Sequence, residues 1–115
     1  LNKIIKIVHL EVRKKMNKFL KKYKNKKIVI LDIPLLLENK INKKKDILVF
    51  VQSKQIDIVK KLKKRKNFNQ KLLKKFKDIQ YPISYKKKKS NFIIKNDFTK
   101  KTVNDGIKNI LKEIS

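Results

Sequence analysis

The side chains of this 115-residue chain best suited to chemistry cluster in one short stretch and a few isolated points around it. Asp32 and Glu38 bracket LDIPLLLE, a carboxylate close to Pro34 followed six residues on by a second one. The apolar run 28–31 just before it reads as a strand with apolar residues on both faces, as in a parallel sheet covered on both sides. In an open parallel α/β sheet, ligands bind just beyond the carboxyl ends of the strands, so the segment from Asp32 to Glu38 stands where a site would be built. Of 35 basic residues only Arg13 and Arg65 are arginines, whose planar fork is the better group for reading phosphate. His9 is the lone imidazole, at a helix start where histidine commonly serves as a surface or cap group. There is no cysteine, hence no disulfide and no thiolate chemistry, which fits a reducing, cytoplasmic setting.

These residues need elements to hold them. Ile7, Val8, Val12, Met16, Phe19 and Leu20 recur at helical spacing, predicting a helix from about Leu1 or His9 to Tyr23. After the strand at 28–31, Pro34 ends the extended run and residues 35–39 form a short helical turn. The run 47–51 is a second, fully buried strand. Ser53 can cap a helix through Ile56, Val59 and Leu62 to about Lys64. Asn67 or Asn69 starts another, with Leu72, Leu73, Phe76 and Ile79 on one face, interrupted at Pro82. Residues 86–89, four lysines in a row, read as a mobile basic loop. Residues 92–95 are a third strand, and Thr99 or Thr102 opens a final helix with Val103, Ile107, Ile110, Leu111 and Ile114. Strands alternating with helices of this length indicate an α/β fold with a parallel sheet.

The net charge of +26 raises the question of nucleic acid or an anionic membrane. Its make-up argues for a solvated lysine surface: lysine, isoleucine and asparagine abound, alanine is absent and glycine occurs once, at Gly106. That is the output of an AT-rich genome wherever a position tolerates it. No specific nucleic-acid partner is expected, and no apolar run approaches the roughly 20 residues of a membrane span. The first residues lack the apolar core and cleavage site of a signal peptide.

Several separated segments agree in order and spacing with the dephospho-CoA kinases. HLEVRKKM resembles that family's His-Pro-x-Val-Arg, with Leu10 at the proline; LDIPLLLE resembles its D-x-P-L-L-[FY]-E. KKLKKRKNFN resembles the R-L-x-x-R-[DN] lid segment, with Lys61 at the first arginine and Arg65 at the second. IQYPISYKKKKSNFIIKN keeps Gln80, Pro82, Lys86, Ile94 and Asn96 of a further family segment, with Ser90 and Asn91 where Ala-Asp is usual. The resemblance implies transfer of the ATP γ-phosphoryl group to the ribose 3′-hydroxyl of dephospho-CoA, the last step of coenzyme A synthesis. It implies that His9, Arg13, Asp32, Pro34, Leu35, Leu36 and Glu38 shape the acceptor side. Arg65 then serves the phosphates from a lid spanning about 53–90, and Asn96 the loop that cradles adenine.

Nothing matches G-x-x-x-x-G-K-[ST], and one glycine cannot make it. The chain therefore reads as the C-terminal portion of a P-loop kinase-like three-layer domain whose central P-loop strand, catalytic aspartate and Mg²⁺ ligands lie in a missing half. Removing a central strand exposes two apolar strand edges, so the chain alone is expected to be poorly folded and inactive. The competing readings are a basic nucleic-acid- or ribosome-associated module and one half of a split kinase.

Overall fold

The protein is described by a computed structural model covering residues 2–115, with the side chains at 2, 72 and 76 outside the description. In chain order the elements are α1 (Asn2–Lys22), β1 (Val49–Gln52), α2 (Gln55–Lys63), α3 (Gln70–Ile79), α4 (Ile83–Lys89), β2 (Phe92–Lys95) and α5 (Lys100–Ile114). They divide into two compact units, one ending at Lys43 and the other running from Lys44 to Ser115.

In the first unit, α1 carries Ile5, His9, Val12, Met16 and Leu20 half-buried along one stripe at spacings of three and four. Ile7, Val8 and Phe19, expected on the buried face, are instead exposed; the apolar surface of the helix is wider than the stripe the unit covers. Lys21 and Lys22 in the last turn suit the negative end of the helix dipole.

The strand expected at 28–31 is absent. These residues run outside any ladder, with Ile28 49% and Ile30 81% exposed. A strand is defined by the hydrogen bonds it exchanges with a neighbour, and here no described segment supplies one.

The helical turn expected at 35–39 forms. The Asn39 amide donates to the Leu35 carbonyl, Lys40 to Leu37 and Ile41 to Leu36, each at 3.1 Å. The last two are the paired bonds of a Schellman ending, in which the residue after the helix adopts a left-handed backbone; Lys40 does so, at φ 51°. Ile41, the next residue, is 5% exposed, in keeping with the apolar residue this motif commonly buries there.

The second unit is built on a two-stranded parallel sheet in which Val49 pairs with Phe92 and Val51 with Ile94. β2 has the expected bounds, whereas β1 begins and ends later than expected because its register is set by β2. Nor is β1 fully buried, since Val49 and Val51 are 42% and 55% exposed. The reason is that α5 packs on β2, and Ile94, beneath it, is 7% exposed. At that crossing a Cβ on Gly106 would stand 3.1 Å from Ile94 Cγ2, so the absence of a side chain permits the approach.

Helix starts also differ from expectation in two places. Lys54, not Ser53, occupies the α2 cap position, extended at φ −65° and ψ 137° and without a side-chain cap bond; Ser53 lies one residue too early. Residues 86–89 are no loop but the last four residues of α4. Pro82 at the cap position accepts the Tyr85 and Lys86 amides on its carbonyl at 3.1 and 3.2 Å, and lysine is a good helix former. α3 is started by Asn69, whose Oδ1 accepts the Lys71 amide at 3.0 Å. Leu73 on this helix is half-buried and Ile79 exposed; the expected partners Leu72 and Phe76 have side chains outside the description.

Candidate functional site

The residues marked by the sequence fall into both units. In the first, Arg13 Nη2 donates to the Asn39 carbonyl at 2.8 Å, tying α1 to the end of the Pro34–Lys40 turn. This is the group the sequence left without a stated partner: the guanidinium reaches main chain 26 residues on and holds the turn against the helix. His9 is half-buried on the same helix, one turn before Arg13. Asp32 and Pro34 are exposed, while Leu35, Leu36 and Glu38 are half-buried. Leu35 has φ 54°, a left-handed backbone unusual for a leucine. Asn39 Nδ2 is buried without a hydrogen-bond partner among the described residues.

In the second unit Arg65 is exposed, in the link between α2 and α3. Its amide donates to the Leu62 carbonyl at 3.0 Å and its carbonyl accepts the Phe68 amide at 3.2 Å, so the backbone there is tightly turned. The groove beside it has a volume of about 390 Å³, with Leu62, Phe68 and Leu73 as its apolar wall and Arg65, Lys66 and Asn67 as its polar one. A cationic rim on an apolar floor is suited to an organic anion.

A second hollow of about 190 Å³ lies between α2 and the link from β2 to α5, where Asp57, Lys60, Lys61 and Lys64 meet Asp97 and Phe98. Lys61 Nζ stands 5.3 Å from the centroid of the Phe98 ring, within cation–π range. Asn96 directly follows β2, and its amide donates to the Gln52 carbonyl at 2.7 Å, extending the ladder. Its Oδ1 accepts the Phe98 amide at 2.8 Å. The side-chain oxygen that could have read a base is thus engaged in a local turn, leaving the amide group as donor. Phe98 follows with φ 66°.

Asp97 organises the start of α5. Its Oδ1 accepts from the Thr99 hydroxyl at 2.5 Å, the Thr102 hydroxyl at 2.7 Å and the Thr99 amide at 2.9 Å. The Thr99 hydroxyl first, then that of Thr102, lowers the Asp97 pKa to about 2. The sequence offered both threonines as helix openers; that the preceding aspartate collects them was not read from it, although D-x-T-x-x-T is the visible signal.

Against this geometry, the family model described as dephospho-CoA kinase matches residues 1–102. The chain belongs to the dephospho-CoA kinase family. It is 32% identical over 111 residues to the dephospho-CoA kinase of Wolbachia pipientis wMel, a match covering 95% of this chain and 56% of that protein. To the Bacillus anthracis dephospho-CoA kinase it is 34% identical over 110 residues, 94% and 55% of the two chains. To that of the Brugia malayi Wolbachia it is 29% identical over 111 residues, again 95% and 56%. The chain spans about half the length of the curated relatives it matches.

Two departures from the dephospho-CoA kinase pattern have a physical account. Lys61, where the family motif has its first arginine, keeps a cation and sets it against Phe98. Asn91 Oδ1 accepts the Leu48 amide at 2.8 Å, a bond that joins the entry of β1 to the entry of β2 and that an aspartate oxygen could also accept. Leu10 is 55% exposed, and nothing in the structure explains its replacement of proline. Among the described residues there is no group of three or more His, Cys, Asp or Glu that could hold a metal ion. No described helix is long and apolar enough to cross a membrane.

Proposed function

We propose that the protein to which this chain contributes transfers the γ-phosphoryl group of ATP to the ribose 3′-hydroxyl of dephospho-CoA, in the cytoplasm, completing coenzyme A. The 3′-oxygen forms the new bond to the γ-phosphorus as the bond to the β,γ-bridging oxygen breaks, and ADP departs. The observation that carries this reading is the family match across residues 1–102.

Within it, Asp32, Pro34, Leu35, Leu36 and Glu38 form the acceptor wall, with His9 and Arg13 beside it. The Arg13 bond to Asn39 supports this, because it holds the turn from a helix rather than leaving it a free loop. Residues 53–90 form the lid. Arg65 on its exposed link meets the transferring phosphoryl group, where fixed positive charge offsets charge spreading over the equatorial oxygens. Lys61 and the Asn96 amide serve the nucleotide.

The fold reading is that the sheet is incomplete and that its central strand, with the phosphate loop, belongs to another stretch of polypeptide. Three features support it: the unladdered run at 28–31, the exposed Val49 and Val51 of β1, and burial that among the described residues reaches one apolar side chain in each unit, Ile41 and Ile94. On this reading the 115-residue chain alone has no turnover.

The test is chromatographic detection of coenzyme A and ADP after incubation with ATP and dephospho-CoA. The chain alone yields neither, and product appears in equal amounts when a P-loop half is fused or mixed in. Recovery on mixing favours a split kinase; recovery only on fusion favours one continuous enzyme. In the active form Arg65→Ala lowers kcat about a hundredfold with little change in KM for dephospho-CoA. Failure of both forms to make coenzyme A would overturn the reading.

A further inference from the structure

The kinase reading leaves one face of α4 unused. Tyr81 and Tyr85 meet edge to face, their ring centroids 5.1 Å apart at 80°. The Lys89 Nζ lies 5.7 Å from the Tyr85 centroid, and the Tyr85 residue is 42% exposed. Residues three and four apart on a helix are surface neighbours, so Tyr85, Lys88 and Lys89 share a face, and both lysines are exposed. The surroundings are strongly cationic: residues 53–90 hold fifteen basic side chains against two carboxylates, Asp57 and Asp78.

Lysines alone attract any polyanion. An exposed aromatic ring set among them adds something that charge does not, a flat apolar surface on which an unpaired base can stack. Lysine rather than arginine means point charges on flexible stems, which hold phosphates without bidentate reading of base edges. A duplex keeps its bases stacked inside and offers Tyr85 no free base. A lipid surface would need apolar area to bury, and the exposed large hydrophobics of α4 are Ile83 and Tyr85 alone. A single strand fits both features at once.

We propose that α4 and the tyrosine leading into it form a sequence-tolerant platform for single-stranded nucleic acid, with a base stacked on Tyr85 and phosphates on Lys88 and Lys89. This stands apart from coenzyme A synthesis and is measured without ATP or dephospho-CoA.

The experiment is fluorescence anisotropy of the full chain with a labelled twelve-residue oligouridylate. The comparisons are an abasic strand of equal length, a duplex, and vesicles of phosphatidylserine and phosphatidylcholine as competitor. The oligouridylate binds about tenfold tighter than the abasic strand, an advantage that base–aromatic stacking supplies. Tyr85→Ala abolishes that advantage and leaves the salt slope unchanged, while Tyr85→Phe keeps it. Lys88→Gln with Lys89→Gln weakens both strands and reduces the slope of log K against log salt by about 1.4, two single-strand phosphate contacts. Equal binding of oligouridylate and abasic strand overturns the proposal, as does tighter binding of the duplex or displacement of the strand by vesicles at matched charge. The first of these comparisons uses the unaltered chain, so it decides even if Tyr85→Ala fails to fold.

Discussion

Residues 28–31 (IVIL) and β1 (VFVQ) are both short runs rich in strand-forming side chains, and they end up in different states. β1 is laddered in parallel to β2 and leads into α2. Residues 28–31 have no ladder, and Ile30 is the more solvent-accessible for it, at 81%. The difference lies outside both segments. Val49 to Gln52 find Phe92 to Lys95 at matching register, with α5 covering β2, whereas nothing described offers its edge to 28–31. Strand propensity is largely the fit of a side chain to a pleated, half-buried surface. Where the surface is missing, the propensity has nothing to act upon.

That contrast can be broken most forcibly from the paired side. Ile94→Ala empties the space between β2 and α5 and is expected to cost about 2–5 kcal/mol, enough to abolish slow hydrogen exchange at the Phe92 and Asn96 amides. Retained protection there would mean the pair does not depend on its helix. A smaller loss, about 1 kcal/mol, is expected for Asn91→Ala, which removes the acceptor for the Leu48 amide; exchange at Leu48 should quicken, and Asn91→Asp should restore it. In the opposite direction, Lys40→Gly relieves a left-handed backbone at an exposed position and should gain about 0.5 kcal/mol, read as a higher unfolding midpoint. Least of all, Ile30→Lys should change the stability of the 115-residue chain by no more than about 0.5 kcal/mol. A larger loss on thermal unfolding would show that Ile30 is engaged after all, and the contrast with β1 would fall.

Local features of the sequence carried through where the physics is local. Asn69 starts α3 because its side chain can take an amide two residues on, and Pro82 separates α3 from α4 because it has no amide to give. The parallel pairing was legible from strands separated by helices, and β2 keeps the bounds its residues announced. Non-local outcomes were not legible. Whether 28–31 becomes a strand, how far β1 is covered, and which stripe of α1 is turned inward depend on what lies opposite. At the site, the identities of Arg13, Arg65 and the Asp32–Glu38 segment stood out from the residues. The bond from Arg13 to Asn39 depends on backbone geometry that no spacing rule supplies, whereas the Asn96–Phe98 bond and the hydroxyls gathered by Asp97 are local contacts whose signal, N-D-x-T-x-x-T, stands in the sequence.

Gly106 has a consequence of a different kind. It is the only residue in the chain smaller than serine, in a composition that has given up alanine altogether. It stands where α5 crosses Ile94, and an added Cβ would meet that side chain at 3.1 Å, so that one of the two must shift by a few tenths of an ångström. Elsewhere an exchange of one large apolar residue for another leaves a helix much where it was. Here every single-residue change adds an atom, so mutational tolerance falls to its narrowest at this point. A library of random variants selected for an intact β2–α5 pair should drift freely along the lysine-rich surface and admit little beyond alanine at residue 106.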